Sequence, residues 1–236
     1  MTWWGWEAGQ SLREELMDAP GVEEHELHRV YEELRTINRW LGGHSSSLDG
    51  LRRLVPEGPV SVLDVGFGGG DFAEVLAAWS RRTGRPVRYL GIESSPVAVS
   101  YARERFSGES FRFERADLFE AAERMDAGHD VVHMSLTLHH FPGASAVQAV
   151  RAMARLARVG VLVNDLQRHF VPYAAIKGLT AVFSRSRLVK NDAPLSVNRG
   201  FLRGELASIC ARAGVDAEIR WRPMFRWLLI ARPRQD

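Results

Sequence analysis

The chain of 236 residues has one cysteine, Cys210. Disulfides within the chain are therefore excluded, and sulfur-rich metal sites have no ligands to draw on. Cys210 falls at helical spacing among Leu206, Ile209 and Ala213, the pattern of a buried, inert thiol. An excess of one charge is also missing. The 31 Lys and Arg residues nearly balance 29 Asp and Glu, for a net charge of +2, and the signs are well mixed. A nucleic-acid surface needs clustered basic residues, so such a partner is not expected. No apolar run reaches the roughly 20 residues that span a bilayer, which speaks against stable membrane insertion. The opening residues MTWWGWEAGQ lack the basic start and apolar core of a secretory signal. A cytoplasmic protein is the expectation. Repeats and low-complexity linkers are absent as well.

What is present suffices for one full core: 45% of residues are apolar. The organising stretch is SVLDVGFGGGDF, 61–72, where an apolar run leads through Asp64 into Gly66, Gly68, Gly69 and Gly70 and then a helical pattern. It reads as a buried strand, a glycine turn and a helix start, a weak signal shared by all doubly wound nucleotide-binding folds. No GK[ST] follows the glycines, so this is not a phosphate-binding P-loop.

Around it, strand and helix alternate. Strands are expected at 60–64, 87–93, 111–116, 130–135 and 159–164, with helices at 70–82, 97–106, 144–156 and 199–213, and a closing antiparallel pair at 216–221 and 226–231. The alternation predicts an α/β fold, a doubly wound, mostly parallel seven-stranded sheet with helices on both faces. Residues 1–58 read as a helical cap. A short helix carries Leu12, Leu16 and Met17; a longer one carries Leu27, Val30, Tyr31, Leu34, Ile37, Asn38 and Leu41; a third spans 46–54. The core is expected over 59–236, with a lid inserted at about 165–199. In that lid an apolar helix, 170–183, lies over the sheet's open end and is followed by a basic tail with Arg185, Arg187 and Lys190. Trp3, Trp4 and Trp6 suggest an arm packed on the body; a flap over an apolar substrate or a homodimer contact is the alternative.

In open α/β sheets ligands bind at the carboxyl ends of the strands. Those ends carry Asp64, Glu93 with Ser94, Asp117 with Leu118, Ser135, and Asn164 with Asp165. A pyrophosphate would be poorly served by so many carboxylates. A ligand with a ribose, an adenine and a cationic amino-acid tail fits better, and S-adenosylmethionine has that composition.

The motifs agree with this reading. VLDVGFGGGDF resembles motif I of the class I S-adenosylmethionine-dependent methyltransferases, GIESSP their acidic second motif, ADLFE their adenine-contacting stretch, and DVVHMSLTLHHF their fourth motif, above all in the ubiquinone/menaquinone-biosynthesis type. The resemblance implies that Asp64, Gly66, Gly68 and Gly70 cradle the methionine part, Glu93 and Ser94 the ribose, Asp117 and Leu118 the adenine, and Ser135 the ammonium. Phe67 departs from the small residue usual in the loop. MDAPGVEEHELHRVYEELRTINRWLGG, NDLQRHF and NDAPLSVNRGF resemble small-molecule methyltransferases associated with polyketide synthases. This implies a hydrophobic phenolic or quinone-like acceptor. O-methylation of a phenolic hydroxyl in secondary metabolism is the leading expectation; C-methylation of a quinol ring and nucleic-acid methylation are the alternatives, with a non-catalytic cofactor-binding protein outside the enzymes. Histidine suits general-base work on a phenol, and His139, His140 and His169 are the candidates. His133, inside a strand, reads as a core histidine. Tyr31 and Tyr173 can line the acceptor pocket, and Arg39 can meet the cofactor carboxylate. No metal site is apparent from residue spacing.

Overall fold

A computed structural model describes residues 5–106 and 108–233. The elements run α1 (Glu24–Trp40), α2 (Gly43–Leu54), β1 (Val60–Val65), α3 (Asp71–Thr83), β2 (Val87–Glu93), α4 (Pro96–Arg105), β3 (Phe111–Arg115), α5 (Leu118–Arg124), β4 (His129–Ser135), α6 (Ala144–Leu156), β5 (Ala157–Leu166), α7 (Phe170–Phe183), α8 (Arg187–Arg199), α9 (Arg203–Ala213), β6 (Val215–Arg222) and β7 (Arg226–Pro233). The strands form one seven-stranded sheet in the order β3-β2-β1-β4-β5-β7-β6. β7 enters antiparallel between β5 and β6, and the others adjoining β1 and β4 are parallel.

Sequence dictates this layering. β1, VSVLDV, is buried at every position, as a central parallel strand covered on both faces must be. β3 and β6 lie at the edges and alternate more. One face packs under α5, α6 and α9, with Leu63, Val132, Met153 and Val163 at its centre. The other packs under α2, α3 and α4, with Val62, Leu76, Val131 and Leu162. α2 presses directly on the sheet through Leu48, Leu51 and Leu54, and Gly50 makes the approach possible: a Cβ there would sit 2.2 Å from Leu162 Cδ1. The strand order reverses between β1 and β4, so the crevice opens above their carboxyl ends.

Several boundaries differ from expectation. The first short helix is only a 3-10 turn, Leu16–Asp18, and Leu12 stands exposed. α2 starts at Gly43, immediately after the left-handed Gly42. α5 was not foreseen: Asp117 ends the β3 segment by accepting the Phe119 and Glu120 amides, which starts a seven-residue helix. The basic tail of the lid is the helix α8, capped by Ser186, which contains Pro194. β5 runs on to Leu166, so Asp165 lies within the strand. Cys210 is buried, and burial pushes its thiol up to about 11, so it is inert. No helix among the described residues is long and apolar enough to cross a membrane.

Candidate active site

The glycine turn needs backbone angles that side chains oppose. Gly66, Gly68 and Gly70 have φ of 67°, 55° and 80°, and a Cβ on Gly66 would stand 2.5 Å from Thr137 Cγ2. Thr137 in turn donates to the carbonyl of Gly66 at 3.1 Å, tying the turn to the end of β4. Gly66, Gly68 and Gly69 line a cavity of about 1080 Å³. Gly70 does not; it caps α3 with its back to Ala102, Phe106 and Phe113. Phe67 turns into the core against Phe113.

Glu93 is held at the cavity edge by the amides of Gly68 (3.2 Å) and Ser95 (3.1 Å) and by the Ser94 hydroxyl (3.2 Å). Asp117, Leu118 and Ser135 line the same cavity. After Ser135 the backbone turns through Leu136 at a left-handed φ of 53°, strain of the kind that gathers at binding sites. Asp64 faces the cavity but is spoken for. Its carboxylate takes the Tyr89 hydroxyl and His133 Nδ1, both at 2.7 Å, and His133 reaches Ser47 at 2.9 Å. His133 is thus a fully satisfied core histidine, and Asp64 braces the floor beneath the glycine turn. A nucleoside with an amino-acid tail fits this cradle: a fixed carboxylate offers lone pairs to vicinal hydroxyls, and Asp117, Leu118 and Ser135 line the space beside it.

The rest of the cavity is mostly apolar. α1 contributes Val30, Leu34 and Ile37, α7 Ala175, Ile176 and Leu179, and α8 Val189 and Val197. A few polar groups interrupt it. Burial pushes the Tyr31 phenol up to about 12, so it stays neutral. Burial, helped by the Arg226 charge, pulls His44 down to about 4, also neutral at physiological pH. Arg226 is itself buried. Burial lowers it to about 10, yet it remains a cation. Its Nη2 donates to Asn38 Oδ1 at 3.1 Å, while Nε and Nη1 have no partner among the described residues. Asp71, the first residue of α3, is pushed up to about 7 by burial and the neighbouring Glu74.

The three candidate histidines part company. His139 is buried, with Nδ1 2.7 Å from Asp165 Oδ1 and Nε2 3.5 Å from Glu15 Oε1. Burial opposes its charge, but the two carboxylates win and raise it to about 9. Glu15 responds in kind: burial would raise it, and His139 and His140 bring it down to about 2. His139 therefore arrives protonated, which removes it as a free base at neutral pH. His140 lies half-buried between Asp18 and Glu15. His169 is exposed and lines no part of the cavity. It caps α7 by accepting the Val171 amide at 3.1 Å and stacks on Phe225. Arg39 is likewise exposed and outside the cavity, and Tyr173 packs beneath Trp6 without reaching it. Trp6 also meets Phe170, so this part of the arm does lie on the body; Trp3 and Trp4 fall outside the described residues.

Sequence reasoning missed Glu15, His44 and Arg226. None sits at a strand's carboxyl end in the parallel part of the sheet, so no motif flagged them. Asp165 was visible as a strand end, but its partner was not.

Residues 62–160 match the family model described as Methyltransferase domain. No curated protein matches the chain. Among solved structures, a SAM-dependent methyltransferase from Aquifex aeolicus is 15% identical with a TM-score of 0.60, over 89% of this chain and 98% of that one. The plantazolicin methyltransferase BpumL in complex with SAH is 15% identical with a TM-score of 0.66, over 92% of each. The CMeT domain of the citrinin polyketide synthase is 17% identical with a TM-score of 0.54, over 75% of this chain and 47% of that one.

Proposed function

We propose that this chain, whose residues 62–160 match a methyltransferase domain, is a class I S-adenosylmethionine-dependent enzyme that methylates a hydrophobic small molecule in secondary metabolism, at a phenolic hydroxyl, within the cytoplasm. One observation carries the reading. A single cavity runs from the glycine turn, Glu93 and Asp117 to an apolar wall built by α1, α7 and α8. Donor and acceptor sites are thus continuous, and the acceptor half suits a ring and its apolar substituents.

The bound donor supplies a methyl group on an already activated sulfonium. The chain's residues then have little covalent work. Glu93 orients the ribose, the main chain beyond Ser135 meets the amino-acid tail, and Asp117 and Leu118 flank the base. The apolar wall excludes water and aligns the acceptor, which is the larger part of the rate. His44, neutral at the wall, can take up a hydroxyl proton, although at about 4 it is a weak base. His139, protonated between two carboxylates, shapes the site instead.

Isothermal calorimetry with S-adenosylhomocysteine tests the donor half: micromolar-range affinity is expected, and its absence sinks the reading. A panel of phenols and quinols, analysed by mass fragmentation, tests the acceptor half. One fold neighbour is named as a CMeT domain, which keeps methylation at a quinol ring carbon as the second reading. A product bearing the methyl group on carbon would select it.

A further inference from the structure

We propose that Glu15, His139 and His140 form a binding site for a divalent first-row metal ion on the cavity wall. The three residues offer ligand atoms that all lie within 4.8 Å of one another. His139 Nε2 and His140 Nε2 approach the same atom, Glu15 Oε1, at 3.5 and 3.8 Å. Those separations are long for hydrogen bonds. They match the spacing of ligands around one ion, since metal–ligand bonds of about 2.0–2.2 Å set neighbouring ligands about 3–3.5 Å apart.

The surroundings are those of a metal centre. A ligating imidazole ordinarily donates its other N–H to a carboxylate or carbonyl, which fixes ring and tautomer. Both rings here do so: His139 Nδ1 faces Asp165 at 2.7 Å, and His140 Nδ1 faces Asp18 at 3.1 Å. Asp165 is further fixed by the amides of His139 and Leu166, and the Ser196 hydroxyl lies 2.6 Å from Glu15 Oε1. Both Nε2 atoms are then left on the side of Glu15 Oε1. That of His139 is buried without a hydrogen-bond partner among the described residues. Glu15 and Asp165 are 4% and 1% exposed, so two carboxylates are buried together; without an ion the His139 proton offsets part of their charge, and an ion that binds at Nε2 takes its place and releases that proton.

Three protein ligands leave positions open, the hallmark of catalytic rather than structural sites. Two imidazoles and a carboxylate suit zinc, manganese or iron(II). All three ligands line the cavity, so an ion held by them would be within the space proposed for the acceptor. The ion's role rests on the function proposed above. As a Lewis acid it lowers the pKa of the acceptor hydroxyl. The hydroxyl proton leaves to water, the oxygen forms a bond to the methyl carbon, and the electron pair of the broken S–C bond stays on sulfur.

The full chain, stripped with a chelator, is titrated with Zn²⁺ by calorimetry, and the Mn²⁺-loaded protein is examined by pulsed EPR. One tight equivalent is expected, with couplings from two imidazole nitrogens. Glu15→Gln and His140→Gln should weaken it at least about a hundredfold, and Asp165→Asn about ten- to a hundredfold. His169→Ala, outside the cavity, should leave it unchanged. The proposal falls if the wild type binds no ion, if Mn²⁺ shows no histidine coupling, or if Glu15→Gln and His140→Gln bind like the wild type. The EPR measurement needs no variant, so a misfolded substitution does not blunt the test. A protein that binds S-adenosylhomocysteine but no metal overturns this proposal alone; one that binds metal but no S-adenosylhomocysteine overturns the methyl-transfer reading.

Discussion

Asp71 opens α3 at the edge of the cavity, and its carboxyl is pushed from 3.8 to about 7, first by burial and then by Glu74. Arg35, Arg105 and a hydrogen bond with Asn38 pull the other way without prevailing. Holding the proton more tightly when folded than when unfolded means that the native state binds more protons between these two values. Stability therefore falls as pH rises from about 4 to 7, and the full penalty is present above about 7. At about 1.4 kcal/mol for each pH decade, the penalty is at most about 4 kcal/mol. Water entry and relaxation around a half-buried group trim this to about 1–3 kcal/mol. Asp71→Asn keeps the shape and removes the charge. Urea unfolding of both proteins at fixed ionic strength, from pH 4.5 to 8.5, isolates the effect as a difference. The variant should gain on the wild type with rising pH and hold a margin of about 1–3 kcal/mol above pH 8. A margin that is flat across the range, or that shrinks with pH, refutes the reasoning.

Further outcomes follow from the site. Glu93→Ala removes a charged acceptor and should weaken S-adenosylhomocysteine about ten- to a hundredfold in calorimetry, with the melting temperature little changed. Tyr89→Phe strips one partner from the buried Asp64 carboxylate and should cost about 1–3 kcal/mol in denaturant unfolding. Gly50→Ala drives a methyl group into Leu162 and should cost about 1–3 kcal/mol by the same assay. Arg226→Gln removes the second cause of the depressed His44. Its imidazole titration, followed by NMR, should move upward from about 4 while staying below the ordinary histidine value, because burial persists.

The central sheet was legible because both of its faces are covered. Runs such as VSVLDV leave no period to misread, and the glycine turn punctuates them. Glu93, Asp117 and Ser135 were legible for a related reason: the carboxyl ends of parallel strands open onto one crevice, although Asn164 and Asp165 at the end of β5 stay buried outside it. α5 escaped because it is only seven residues long and its cap, Asp117, doubles as a strand-end acid. α8 escaped because Pro194 and its basic start suggest a loop, whereas Ser186 and the burial of Leu188, Val189 and Leu195 make it a helix. His169 looked promising beside the lid, but its place at the start of α7 turns it outward. The charge state of His139 was not readable at all, since Glu15 comes from an arm far away in the chain and its helical pattern was misread.

That arm is fastened to the lid rather than to the sheet. The Asp192 carboxylate on α8 takes the amides of Leu16 (2.8 Å) and Met17 (2.9 Å), Ser11 donates to the Asn198 carbonyl (3.1 Å), and Gln10 to that of Arg199 (2.7 Å). Transplanting the acceptor preference of one such enzyme onto another would therefore require exchanging two distant segments as a matched pair, 5–41 and 167–201, around an untouched donor cradle. A chimera that takes only one would inherit a carboxylate without its amides, or amides without their carboxylate, and an acceptor wall with half its register.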